Sequence, residues 1–150
     1  MIIPYTIDEL NEQHFQNGFI ETLSFLNEID TISQEKLIET FIKLKQNADS
    51  TIFVAVTSEG KVVGTTTLLI EQKFIHNCGL VGHIEDVVVH EKFRGQKIAD
   101  RLIEKAINVA REAGCYKVIL DCNEKLVPFY QKLGFKKHEI GMRFELMKDC

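Results

Sequence analysis

His83-Ile84-Glu85-Asp86-Val87-Val88-Val89, followed closely by Arg94-Gly95-Gln96-Lys97-Ile98-Ala99, is the stretch on which the reading of this chain turns. The first segment is a strongly apolar run broken by two adjacent acids, and the second is a glycine-containing turn that opens a long amphipathic pattern. Together they predict a strand, an anion-binding turn and a helix. Charges in the middle of a buried strand are costly unless something pairs with them. Basic side chains at a helix N-terminus, here Arg94, Lys97 and Arg101, oppose the macrodipole unless an anion lies between them. Both anomalies point to a ligand. Successive main-chain N–H groups, with Gly95 allowing close approach, suit a pyrophosphate.

Downstream, Ile98, Leu102, Ile103, Ala106, Ile107 and Ala110 predict a helix from about 96 to 113 that stops at Gly114. Residues 116–122 are apolar on both faces except at the end, which predicts a central strand in a sheet covered on both sides. Asn123 is expected to cap a short helix bearing Leu126, Phe129, Tyr130 and Leu133, with Pro128 distorting its first turn. Two strands near 135–138 and 142–147 finish the chain. Upstream, an extended piece at 2–6 precedes a helix capped by Asp8 and carrying Leu10, Phe15, Phe19, Leu23 and Leu26. Ser33 caps a second helix with Leu37, Ile38, Phe41 and Ile42 on its buried face. Strands at 51–57 and 62–71 join through a hairpin at Ser58-Glu59-Gly60-Lys61. The connection Lys73-Phe74-Ile75-His76-Asn77-Cys78-Gly79 then returns to the strand with the two acids. The order is β-α-α-β-β-β-α-β-α-β-β, a mixed α/β layer.

With 150 residues, 45% of them hydrophobic, the chain suits one core, so a single domain over 1–150 is expected. A net charge of -4 gives no general reason to bind nucleic acid or an anionic membrane, and any anion site must be a local basic cluster. The apolar runs fall far short of the roughly 20 residues of a membrane span, and no signal sequence is evident. A cytosolic protein is the expectation. Cys78, Cys115, Cys122 and Cys150 lack CxxC spacing or a His partner at metal-ligand distance, so they read as reduced thiols, with no metal expected. His14 and His138 read as surface residues.

The strand, turn and helix resemble the acetyl-coenzyme A site of the GCN5-related N-acetyltransferase (GNAT) superfamily, whose signature runs Arg or Gln, two residues, Gly, one residue, Gly or Ala. Arg94 and Ala99 fit, while Lys97 stands where Gly is usual and leaves the amide in place. Three segments extend the match: the strand at 83–89, Gly114-Cys115-Tyr116-Lys117-Val118-Ile119-Leu120-Asp121-Cys122, and Phe129-Tyr130-Gln131-Lys132-Leu133-Gly134-Phe135. With Lys73-Phe74-Ile75-His76 they are similar to the glucosamine-6-phosphate N-acetyltransferase family.

This resemblance implies the superfamily's α/β fold, a mixed twisted sheet with helices on both faces. It implies acetyl transfer from acetyl-coenzyme A to the 2-amino group of D-glucosamine 6-phosphate by direct attack in a ternary complex. Main-chain groups of Val87, Val88 and Val89 would pair with pantetheine where two central strands splay. Arg94, Gly95, Gln96, Lys97, Ile98 and Ala99, together with Asn123, would hold the rest of the cofactor. Asp121 would orient the amine, and Tyr130 would touch the cofactor and act as general acid. Glu85 and Asp86 would face the sugar, with Lys73, His76, Lys117 and Arg143 at its phosphate. Arg143 stands in for an Arg that the family places where Glu145 is. Asn27 matches a substrate-contacting Thr. A homodimer whose subunits both build the sugar pocket is implied too.

Two alternatives stay open from the residues themselves: Asp121 as a helix cap beside Asn123, and Tyr130 as a core tyrosine. So do two rival functions. A superfamily acetyltransferase for a protein N-terminus or lysine would share the turn at Arg94 without needing phosphate cations, and a non-catalytic acyl-coenzyme A sensor would need neither Asp121 nor Tyr130.

Overall fold

A computed structural model describes residues 2–147. The chain divides into two compact units, Met1–Leu120 and Asp121–Cys150. In the first unit five strands stand in the order β1-β2-β3-β4-β5. They are β1 (Tyr5–Glu9), β2 (Ser50–Thr57), β3 (Val62–Gln72), β4 (Leu80–Val89) and β5 (Cys115–Ile119). The first four form an antiparallel meander, and β5 runs parallel to β4. Helix α4 (Ile98–Glu112) makes the crossover between them and buries Ile98, Leu102, Ile103, Ala106 and Ala110, the stripe its spacing predicts. It lies this close because β3 carries Gly64, where a Cβ would stand 2.7 Å from Ile98 Cγ2.

The opposite face is covered by the N-terminal segments. Leu10, Phe15, Phe19, Val54, Val56 and Val62 form a core cluster against which Leu37 and Phe41 are half-buried. Helix α2 (Gln34–Gln46) starts where expected, with Ser33 Oγ accepting from Lys36 N–H at 3.2 Å. Its outer flank is less buried than its spacing suggests, and Ile42 is exposed.

The single helix expected after Asp8 does not form. Residues 5–9 are strand, Asn11 caps a 3-10 turn at Glu12–Gln16, and α1 (Phe19–Leu23) begins only after Gly18, whose φ of +98° breaks the helical path. The apolar spacing was real, but two short elements share it. His14 is buried in that turn rather than at the surface: the Asn11 N–H donates to its Nδ1 at 3.0 Å, and burial pushes its pKa down.

Among the described residues, β5 is an edge strand paired with β4 alone and without a fully buried residue, not the central strand its apolar faces suggested. In the second unit a 3-10 turn, Glu124–Leu126, leads into α5 (Val127–Lys132). Pro128 sits at the start of α5, where no intrahelical N–H bond is due, so the expected distortion is absent. The strands expected at 135–138 and 142–147 are not formed. Ile140, Met142, Phe144 and Leu146 alternate as a strand requires, yet all are exposed. A strand needs a ladder partner, and this segment pairs with none among the described residues. Cys150 lies outside the described residues.

Candidate active site

The two acids of β4 escape burial through a β-bulge. Glu85 stands opposite Thr67 and Val88 opposite Thr65, so β4 carries one residue more than β3 over this interval. Asp86 takes φ +52°, a left-handed conformation that Asp tolerates better than most side chains. The buried Thr66 hydroxyl donates to the Glu85 carbonyl at 3.1 Å and pins the irregularity. Glu85 and Asp86 are both exposed, whereas Ile84 and Val88 on either side are buried.

Just beyond, the pairing of the two parallel strands ends with β5 itself. Pairing of β4 with β5 runs from Leu80↔Cys115 to His83↔Ile119 and stops, while β4 continues to Val89. Among the described residues, main-chain groups of Val87, Val88 and Val89 directed away from β3 therefore meet no strand, and an extended polar chain can pair there instead.

A 3-10 turn at Glu91–Phe93 leads into the anion-binding turn. Gly95 has φ +81° with open space where a Cβ would be. Lys97 is the N-cap residue of α4, at φ +60°, and caps with no side chain. The first amides of α4, Ile98 and Ala99 included, thus keep the unpaired N–H groups of a helix start. Arg94 Nε donates to the Val89 carbonyl at 3.3 Å, tying turn to strand. Gln96 faces the other way: its Oε1 accepts from Ile3 N–H at 2.9 Å and its carbonyl from Tyr5 O–H at 3.2 Å. The Ile98 side chain lies in the core. These two can serve a ligand through main chain alone.

Lys97 pays for this geometry with a left-handed backbone, costing about 1–2 kcal/mol against the roughly 0.5–1 kcal/mol of extra chain entropy a glycine would lose. Lys97→Gly is expected to raise stability by about 0.5–1 kcal/mol, read as a melting temperature higher by about 1–4 °C.

The loop before β4 gathers cations. Its three residues His76, Asn77 and Cys78 all have left-handed φ, within the single-turn segment α3 (Ile75–Cys78). Such a run is strained by about 1–2 kcal/mol per residue, and strain of this kind collects at functional positions. The Gln72 amide holds the loop, donating to the carbonyls of Lys73 at 2.9 Å and Cys78 at 2.7 Å. Glu71 takes Lys73 Nζ at 3.0 Å and His83 Nε2 at 2.9 Å. Hydrogen bonds from His83 and then Lys73 hold its carboxyl below the usual range. The His76 ring lies 4.1 Å from the Tyr116 ring, and Lys117 Nζ lies 5.7 Å from the same ring. The structure thus groups Lys73 with His83 around Glu71, and sets His76 and Lys117 each against the Tyr116 ring. Asn27 is exposed in the bend after α1, its Oδ1 accepting from Glu28 N–H at 2.9 Å.

In the second unit, Asn123 Oδ1 accepts from Leu126 N–H at 3.2 Å, so the cap is Asn123 and the exposed Asp121 is not used as one. A Cβ at Gly141 would stand 3.4 Å from Asp121 Oδ1, so the glycine leaves that carboxylate uncovered. Tyr130 is 6% exposed, with edge-on ring contacts to Phe129 at 5.0 Å and Phe135 at 5.7 Å. Burial, reinforced by the nearby Cys122, pushes its phenol pKa up, so it keeps its proton at neutral pH. Arg143 is ion-paired with Glu145.

The sequence model of the Acetyltransferase (GNAT) family matches residues 10–135. This chain belongs to the GNAT acetyltransferase family. Over 146 residues it is 38% identical to glucosamine 6-phosphate N-acetyltransferase 1 of Dictyostelium discoideum, covering 95% of this chain and 88% of that one. The crystal structure of the Arabidopsis thaliana glucosamine-6-phosphate N-acetyltransferase superposes with a TM-score of 0.93 at 34% identity, covering 96% of this chain and 99% of that chain. A Trypanosoma brucei acetyltransferase superposes with a TM-score of 0.89 at 36% identity, covering 95% and 100%.

Sequence reasoning passed over several residues that shape this GNAT site. Thr66 pins the bulge, and its signal was a polar run, Thr65-Thr66-Thr67, inside an apolar strand. Glu71 and Gln72 organise the cationic loop from the strand before it. Neither carries a spacing signal, because their partners lie across a turn whose left-handed path no local pattern announces.

Proposed function

We propose that this GNAT protein transfers acetyl from acetyl-coenzyme A to the 2-amino group of D-glucosamine 6-phosphate, giving N-acetyl-D-glucosamine 6-phosphate and free coenzyme A. The observation that carries the reading is similarity over nearly the whole chain, at 33–38% identity, to enzymes of that name in several eukaryotes. The two units act as one catalytic domain, a reading supported by a family match that runs through the boundary between them.

The chain's residues divide the work. The open main chain of Val87, Val88 and Val89 holds pantetheine, and the amides of residues 95–99 hold the pyrophosphate, supplemented by Arg94, Lys97 and Asn123. Lys73, His76 and Lys117, with Arg143, take the sugar phosphate. Glu85, Asp86 and Asn27 take sugar hydroxyls and amine hydrogens. Asp121 orients the neutral amine and stabilises the positive charge that grows on nitrogen as it attacks the thioester carbonyl. Tyr130 gives its proton to the departing thiolate, and the nitrogen loses one to solvent.

Thiol release and mass spectrometry of the product test this directly. Rapid acetylation of glucosamine 6-phosphate is expected, and none of a peptide N-terminus or lysine; the reverse preference would transfer the chain to the protein-acetylating rival.

The protein works in the cytosol as a homodimer. The exposed alternation of Ile140, Met142, Phe144 and Leu146 supports the dimer, because it presents apolar side chains to a second copy. Light scattering is expected to give the mass of two chains, and a fully active monomer would remove the shared pocket.

A further inference from the structure

His90 lies between β4 and the anion-binding turn, is 2% exposed, and has no part in the chemistry above. Its two ring nitrogens have different partners. The Lys92 N–H donates to Nδ1 at 3.2 Å, making His90 the side-chain cap of the 3-10 turn that delivers Arg94 and Gly95. Nε2 lies 3.1 Å from Glu21 Oε1 on α1. A main-chain donor on one nitrogen and a carboxylate on the other admit one arrangement, the neutral ring with its hydrogen on Nε2. Phe25 at 4.4 Å and Phe93 at 5.4 Å enclose the ring.

The charged groups around it are Glu21 from α1, Lys61 from the hairpin, and Glu91 and Lys92 on its own turn. Lys61 Nζ sits 3.4 Å from the second Glu21 oxygen and 6.0 Å from the Phe93 ring centroid. Adding a proton to the ring keeps the Glu21 contact but sets Nδ1–H against the Lys92 N–H. The cap is then lost on the side that faces the cofactor turn.

We propose that neutral His90 is a positioning residue for the cofactor turn, fixing the path of residues 91–95 against α1. This rests on the reading of residues 95–99 as the acetyl-coenzyme A site. It adds a residue that touches neither substrate and sets cofactor affinity through the path of the turn.

The test is calorimetric binding of acetyl-coenzyme A, without sugar, at pH 8. Three proteins are compared: wild type, His90→Asn and His90→Phe. Asn supplies an oxygen for the Lys92 N–H and does not titrate, whereas Phe keeps the packing and lacks any acceptor. At pH 8, His90→Phe is expected to bind about fivefold or more weakly and His90→Asn within about twofold of wild type. Circular dichroism establishes that both variants are folded, and nitrogen NMR of the ring in wild type is expected to show Nδ1 bare and Nε2 protonated. Equal weakening in both variants, or the opposite tautomer, would overturn the proposal while leaving the acetyltransferase reading intact. A wild type that binds no acetyl-coenzyme A would overturn that reading, and this proposal with it.

Discussion

Tyr130→Phe is expected to lower turnover by about 10²- to 10⁴-fold with the chain still folded, the range a positioned proton donor supplies. The substitution removes one hydroxyl and keeps the ring contacts with Phe129 and Phe135, so the packing of the second unit survives it. Asp121→Asn is expected to slow turnover as sharply for a different reason: its shape is kept, but the charge that favours an ammonium-like transition state is gone. Acetyl-coenzyme A affinity stays nearly unchanged in both. The two roles separate with an acetyl thioester whose leaving thiol is more acidic. Such a donor needs no protonation and is expected to restore part of the rate in Tyr130→Phe and none in Asp121→Asn. Equal rescue of both, or a fully active Tyr130→Phe, would return Tyr130 to the core.

Glucosamine without its phosphate is expected to be acetylated with kcat/KM lower by about 10²- to 10³-fold, as two or three lost charge-assisted contacts of ~1.5 kcal/mol would give. The residues concerned are Lys73 and His76 at the strained, Gln72-held loop and Lys117 on β5, with Arg143. Lys73 already meets Glu71 at 3.0 Å, so a phosphate must share that lysine. His76 and Lys117 therefore carry the larger part. Steady-state kinetics of both sugars with wild type and Lys117→Ala checks this, since the variant should narrow the gap between the sugars. Equal turnover of the two sugars by the wild type would remove the phosphate site.

Much of this was legible because its signals are local. The stripe of α4, the Ser33 cap and the hairpin at residues 58–61 each depend on neighbours within a few residues, and each stands where expected. The acid pair at 85–86 was legible as an anomaly, but its resolution, an extra residue with left-handed φ, depends on the register against β3 and not on β4 alone. The N-terminal helix was misread because helical spacing through Leu10, Phe15 and Phe19 does not reveal that Gly18 interrupts the backbone. Residues 140–147 carry a true strand pattern, but pairing depends on a partner that no local pattern names. The tie between Glu71, Lys73 and His83 was invisible because it joins adjacent strands around a loop.

The bulge at Asp86 also makes that residue supernumerary to the architecture. Glu85 and Val88 stand opposite Thr67 and Thr65, which share one face of β3. A chain lacking Asp86 alone would keep every later side chain of β4 on its present face and would close the ladder into a regular hairpin. Loss of a position away from the bulge would shift the register of the residues between and turn them to the opposite face. The scaffold and the kink that aims its acids are thus separable by one codon. A deletion at that codon would leave an ordinary meander, folded and inert, and an insertion there would be enough to turn such a meander into this one.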